Sequence, residues 1–460
     1  MIDDEVSLFS RHGVLTVVPR SASGQCLGAE PAKLLQHGVD AFLPAPGAVD
    51  RLVDAFTREG LLVEAHTEVG LTVSGEHTLL AEVFGHSVAP VRNKYIRESQ
   101  RYDLIARGPL RSRVCPELIA EVSPPRSGFE LAATPTPTAS AVAPELDAGH
   151  YLRLPDDVVR LSGADRLHAA GIRGEGVKVV MVDTGLYDHP HHRSHAYATT
   201  VVPALSLLDP GADERGHGTA MSALLLAVAP RVDLTLVKMA NEGFSFPVAA
   251  FQRAVRLGPD VISCSWGTMR SEPHLHLEVA NALRRGITVL FAAGNGSTDR
   301  PTAMFQSVAT PGALTVGGVH VGPHGELRAS DLASSYRSAV FPGRAVPDVS
   351  GPCGMLPHGN YIVFPTQPGC LFDRRNSSYD GTAPDDGWLV SSGTSGATAY
   401  AAGVVALAVQ QGVGRGASIE PALLAASCVP VREGRSLTGD ECGGTSPNPA
   451  VGHGLLTART

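Results

Sequence analysis

The sequence predicts an α/β protein: a parallel sheet with helices on both faces, preceded by a small α+β unit. Three observations carry this. Continuous apolar runs at 177–182, 234–237, 261–262, 287–293 and 314–316 alternate with helical segments at about 218–228, 248–257 and 275–285, the pattern of strands buried on both faces. At 391–411, glycines and small hydroxyl residues give way to a run that is small or apolar on every side, as a helix buried all round reads. Up to about residue 129, helices alternate instead with strand pairs, which suits an α+β sandwich.

In that first unit, 14–18 reads as a strand, and 49–58 as a helix with Leu52, Val53 and Phe56 on one face. Strands follow at 61–65 and 70–73, then a short helix at 77–84 with Leu79, Leu80 and Val83 inward, and a closing strand at 118–122. A β-α-β-β-α-β order is expected. Residues 132–149 are rich in Ala, Thr and Pro; they read as extended, solvated linker, where proteases cut. The expected division is 1–131, 132–149 and 150–460.

Composition excludes some classes. A net charge of -8, a pI near 6.1 and no long Lys/Arg run argue against a nucleic-acid surface. No apolar run reaches the roughly 18 residues of a membrane helix, and the acidic start is not followed by a signal-type apolar core. A cytoplasmic address is expected, with export by another route left open. The seven cysteines form no C-x-x-C pair, against a zinc site. Cys353 with Cys370, and Cys428 with Cys442, have spacings that fit loop-closing disulfides, whereas the missing signal favours reduced thiols.

Four polar residues stand where such a sheet gathers its chemistry, past strand ends or at helix starts. Asp183 follows the first apolar run, His217 lies between glycines ahead of a helix, Asn295 follows another buried strand, and Ser395 opens the apolar helix. Singly they read as a turn residue, a capping histidine, an αL asparagine and an N-cap. Together they are the set an acyl-transfer hydrolase needs. Ser395 attacks, His217 takes and returns the proton, Asp183 fixes the imidazole tautomer, and Asn295 donates to the oxyanion.

Residues from about 161 to 456 resemble the catalytic domain of the subtilisin-like serine peptidases. Val182-Asp183-Thr184-Gly185 with His189-Pro190 resembles the family's Asp block, His217-Gly218-Thr219 its His block, Ala293-Gly294-Asn295 its oxyanion Asn and Gly393-Thr394-Ser395-Gly396-Ala397 its Ser block. The order Asp, His, Ser is the family's own. The resemblance implies a substrate-binding surface at Ser265, Trp266, Gly267 and Gly294, with main-chain pairing to an extended peptide. Trp266 and the segment 304–306 are expected near the pocket for the residue before the cut. Gly452-His453-Gly454 resembles the end of the domain.

There are departures from the family. Ala220 replaces a frequent second His, and the segment from His217 to Ala229-Pro230 is short. No cofactor is expected, and calcium is not supported there by the sequence. Asp209, Asp213 and Glu214 read as solvated loop charges, and His189, His191, His192 and His195 as loop residues with nothing to converge them on a metal. The resemblance gives the first unit a role as a prodomain that blocks the cleft. Val73-Ser74-Gly75 and the segment 79–85 are similar to sedolisin prodomains, but His217 stands where sedolisins use Glu. The expected function is a serine endopeptidase made as an autoinhibited zymogen, acting on protein or peptide, with its own N-terminal unit as inhibitor. The alternative is a silent scaffold that holds peptides in a permanently blocked cleft.

Overall fold

A computed structural model of the chain describes residues 11–92, 102–125, 139–146, 149–241, 245–296, 305–443 and 446–458. The first unit contains β1 (His12–Pro19), α1 (Ala48–Arg58), β2 (Leu62–His66), β3 (Leu71–Glu76), α2 (His77–Phe84), β4 (Val88–Arg92), β5 (Tyr102–Ala106) and β6 (Ile119–Ser123). Its sheet runs β2-β3-β1-β6 with every pair antiparallel. On α1, Ala48, Val49, Leu52, Ala55 and Phe56 are buried while Arg51, Asp54 and Arg58 face solvent, the 3.6-residue period of a helix lying on a core. The β4–β5 hairpin is an addition that the sequence does not announce: Pro90 sits within β4, and proline reads against a strand.

The second unit contains β7 (Lys178–Asp183), α3 (Pro190–Ser194), β8 (Thr199–Pro203), α4 (His217–Val228), β9 (Asp233–Lys238), α5 (Pro247–Arg256), β10 (Val261–Cys264), α6 (Pro273–Arg284) and β11 (Thr288–Ala292). It continues with β12 (Leu314–Val321), β13 (Val349–Pro352), β14 (Ile362–Pro365), β15 (Trp388–Ser391), α7 (Thr394–Gln410), β16 (Cys428–Val429) and β17 (Leu455–Leu456). The main sheet runs β16-β17-β13-β12-β11-β10-β7-β9-β8. From β17 to β8 each neighbouring pair is parallel. The alternation of side chains puts Val179 and Met181 of β7 in one core, with Leu224 and Leu225 of α4 and Val404 and Val405 of α7. Val180 and Val182 face the opposite core, with Val248 and Phe251 of α5 and Val279 of α6. Both faces are covered, so the strands read as unbroken apolar runs.

The second core does not stop at the unit boundary. It continues through α5 into Val14, Phe56, Leu71, Val73 and Phe84 of the first unit, whose β2 and β3 lie on α5. On β3, Leu71 and Val73 serve the unit's own core, while Thr72 donates across the boundary to Gln252 Oε1 of α5 at 2.8 Å. Residues 132–138 of the expected linker lie outside the described residues. Residues 139–146 run along the β14–β15 hairpin, where Ala139 is buried and the Ser140 carbonyl accepts from Trp388 Nε1 at 3.1 Å. None of the seven cysteines is in a disulfide, including both pairs with disulfide-like spacing.

Candidate active site

Asp183 is the last residue of β7 and His217 the first of α4, so a strand end and a helix start bring them together. His217 Nδ1 lies 2.7 Å from Asp183 Oδ1, with the carboxylate 1% and the imidazole 18% exposed. Asp183 Oδ1 also accepts from the Thr184 N–H at 2.8 Å. Burial of the ring opposes its charged form, but the charge and hydrogen bond of Asp183, then the charge of Asp213, outweigh it and raise His217 above the usual imidazole value. Phe372 covers the ring edge-on at 5.8 Å between centroids.

Ser395 is the second residue of α7, after Gly393 at the N-cap. Main-chain N–H groups at such a mouth favour developing negative charge. Ser395 Oγ donates to the Ser265 carbonyl at 2.9 Å rather than to His217, and Ser265 Oγ donates to the Ser395 carbonyl at 3.0 Å. These reciprocal bonds fasten the segment after β10 to the mouth of α7. Asn295 reaches the same place. Its Oδ1 accepts from the Thr394 N–H at 2.7 Å and from Thr394 Oγ1 at 3.0 Å, which fixes the amide. A Cβ at Gly393 would stand 2.8 Å from Asn295 Nδ2, so only glycine leaves the amide room beside the Ser395 turn.

Around these groups, the Gly294 N–H donates to Thr394 Oγ1 at 3.1 Å. Gly267 lies against the Phe305 ring. Trp266 is only 7% exposed; its indole packs edge-on to Phe291 and donates to the Val182 carbonyl at 2.8 Å. Met304, expected near the pocket, lies outside the described residues.

Two sequence expectations are corrected. Asp213 and Glu214 are not solvated charges; of the three loop acids, only Asp209 is exposed. Asp213 is fully buried, and Glu214 holds Lys238, itself fully buried, at 2.8 Å. Nothing local in the chain signals this, because Thr184, Gln367 and Lys238 come from distant segments. Three of the four histidines after Asp183 are also packed rather than loose, and His195 is exposed. His189, His191 and His192 are buried at 0, 3 and 4% exposure, and Trp388 lies edge-on to His189 and His191. Burial pulls their pKa values down to about 4, about 4 and about 3, so the rings are neutral. Among the described residues no group of three or more His, Cys, Asp or Glu is arranged to hold a metal ion, and no helix is long and apolar enough to cross a membrane.

A family model described as the subtilase family matches residues 174–427, more than half of the chain. The chain is 29% identical over 215 residues to an intracellular serine protease of Paenibacillus polymyxa, over 42% of this chain and 62% of that protein. It is 28% identical over 217 residues to subtilisin E of Bacillus subtilis (strain 168), over 44% of this chain and 54% of that protein. It therefore spans less than two thirds of the length of either relative. Among solved structures, fervidolysin from Fervidobacterium pennivorans, a keratinolytic enzyme related to subtilisin, matches with a TM-score of 0.54 at 15% identity, over 97% of this chain and 60% of that one. A lanthipeptide protease matches with a TM-score of 0.50 at 18% identity, over 65% of this chain and 92% of that one. At these identities the structural likeness is one of fold.

Proposed function

The chain belongs to the subtilase family, and from that premise we propose that it is a serine endopeptidase working through an acyl-enzyme, held as a zymogen by its N-terminal unit. The observation that carries the reading is the 2.7 Å bond between His217 Nδ1 and the buried Asp183; Ser395, at the mouth of an apolar helix, is the third member the reading adds. Asp183 holds the Nδ1–H tautomer, which leaves Nε2 free to accept the Ser395 proton as Oγ attacks the scissile carbonyl. Oγ turns from the Ser265 carbonyl to do so. The oxyanion is met by Asn295 Nδ2 and by an N–H of the α7 mouth, donors held in place before the reaction. His217 then protonates the leaving amine, and water repeats the sequence on the ester. The peptide pairs with the main chain of Ser265, Trp266 and Gly267 and approaches Gly294; the buried Trp266 indole shapes the wall from behind.

The same reading expects no cofactor and a cytoplasmic address, in keeping with the relative named as an intracellular serine protease. Inhibition by the first unit is supported by how it is held. Glu64 accepts from the Ser206 N–H and hydroxyl, both at 2.9 Å, and Thr67 donates to Glu278 Oε2 at 2.7 Å. The apolar core shared by the two units favours the silent scaffold as the second reading.

Labelling with a fluorophosphonate probe, followed by mass spectrometry, separates them. An adduct on Ser395 is expected, and stronger labelling once the linker has been cut. No adduct in either form sinks the enzyme. Wild-type protein should shorten on incubation while Ser395→Ala stays full length. Activity needs neutral His217, so the acid limb of kcat/KM should lie above the ordinary imidazole value of roughly 6.5; a flat profile from about pH 5 to 8 contradicts His217 as base.

A further inference from the structure

Asp213 stands four residues before His217, and its exposure is 0%. Its Oδ1 accepts from Thr184 Oγ1 at 2.7 Å and from the Gly216 N–H at 3.0 Å. Its Oδ2 accepts from the N–H of Thr219 at 2.8 Å and from its hydroxyl at 2.7 Å. The N-cap of α4 is Gly216, which has no side chain to cap the helix. Asp213 supplies the missing acceptor from outside and sets a negative charge against the positive end of the helix. Thr184 completes the joint: its hydroxyl donates to Asp213 and accepts from the Gly218 N–H at 3.1 Å.

The joint matters because Asp183 is held by one oxygen only. Oδ1 takes both His217 and the Thr184 N–H, whereas Oδ2 is buried with no hydrogen-bond partner. Only the bonds on Oδ1 restrain the carboxylate, so its place depends also on how the end of β7 is fastened to the start of α4. We propose that Asp213 is a positioning residue for the Asp183–His217 pair: it locks Thr184 to the first turn of α4, and its carboxylate stabilises the imidazolium formed when His217 takes the Ser395 proton. This rests on the hydrolase reading above.

The surroundings suit that role. Four donors aim at Asp213, as a carboxylate requires, although burial pushes its carboxyl upward against the Thr219 and Thr184 hydrogen bonds and the Asp183 charge adds to the rise. Arg215 lowers His217, while Lys238 and Glu214 are bonded to each other and Lys238 Nζ donates to the Ala212 carbonyl at 2.9 Å. Gln367 Oε1 accepts the Asp213 N–H at 2.8 Å and fixes the main chain behind it.

The test uses the full chain and two variants. Asp213→Asn removes the charge and faces an amide donor toward existing donors. Its expected effect is a fall in kcat of roughly 10- to 100-fold with KM little changed, as for a misplaced catalytic group. The His217 titration midpoint, read by NMR of 15N-labelled imidazole in the Ser395→Ala background, should drop by roughly 1. Thr184→Val cuts only the link to β7 and leaves the buried charge in place, so kcat should fall while the midpoint stays. If folded Asp213→Asn keeps both kcat and the midpoint, the inference is overturned. If Asp213→Asn does not fold, Thr184→Val decides: unchanged kcat overturns the inference and a fall supports it. Failure of wild-type Ser395 to label would defeat the hydrolase reading instead, and the midpoint in Ser395→Ala would still test Asp213.

Discussion

Two sets of buried carboxylates divide this molecule. Around the mouth of α4, Asp183 through Oδ1 alone and Asp213 through both oxygens are bonded to Thr184, Gly216, His217 and Thr219, all within the second unit. Under the first unit, Glu278 of α6 accepts from Gln252 of α5 at 2.8 Å but also from Thr67 of the first unit at 2.7 Å. Glu64 makes the reverse arrangement, accepting from Ser74 of its own unit and Ser206 of the other. The chemistry is the same, a carboxylate out of water held by neutral donors. The consequence differs with ownership. A network within one unit can stay fixed, as the proposed reaction requires, whereas a network shared by two units is completed only when they dock, so it reports on docking.

The largest effect that would break the comparison lies in the first set. Asp183→Asn should lower kcat by about 10⁴-fold with the fold intact, because it leaves the wrong imidazole tautomer; steady-state kinetics with a peptide substrate reads this. Next is Gly393→Ala, whose methyl group would enter the space of the Asn295 amide. Loss of that oxyanion donor should cost about 10²–10³ in kcat, while labelling at saturating fluorophosphonate still goes to completion.

The shared set should respond to pH. Burial, helped by the Glu68 charge, pushes Glu278 up from 4.5 to about 7 despite hydrogen bonds from Thr67 and Gln252 and the charge of His274. Undocking uncovers it and returns it toward 4.5. The docked form thus holds the proton more tightly, and its advantage, full below pH 4.5, is lost as pH rises through about 7. Two neighbours work the other way: burial and Arg256 lower His66, and Glu68 is held low, against its burial, by Asn281, its own main chain, Arg285 and Arg284. Glu68 acts below this range and His66 opposes by at most about 2-fold at pH 6.5, so from pH 6.5 to 8 Glu278 still dominates. Docking, measured as protection of β2–β3 amides corrected for intrinsic exchange, should weaken by about 2- to 4-fold over that range, and Glu278→Gln should remove the weakening.

The smallest effect should come from the rim. Arg285 and Glu68 pair at 3.5 Å with both side chains partly exposed. Arg285→Ala should change docking by only about 0–1 kcal/mol, less still at high salt, and a larger loss would mean that the rim rather than the buried set holds the units together.

The sheet was legible in the sequence, as were the four residues proposed for the site. Strands buried on both faces must be apolar throughout, so β7, β9, β10, β11 and β12 show in composition alone. Asp183, Asn295 and Ser395 adjoin such segments, and His217 is announced by the glycines around it. Tertiary structure decided the rest, where the partner is remote along the chain. Asp213 looks like a loop charge until Thr184, 29 residues away, and Gln367, 154 residues away, close over it. His189 and His191 look like loop histidines until Trp388 arrives from β15. Glu278 looks like a surface acid on a helix until a different unit settles on it. A local pattern records which face of an element is apolar; it does not record which distant group will take a polar side chain out of water, and in this chain that choice distinguishes a network within one unit from one shared by two.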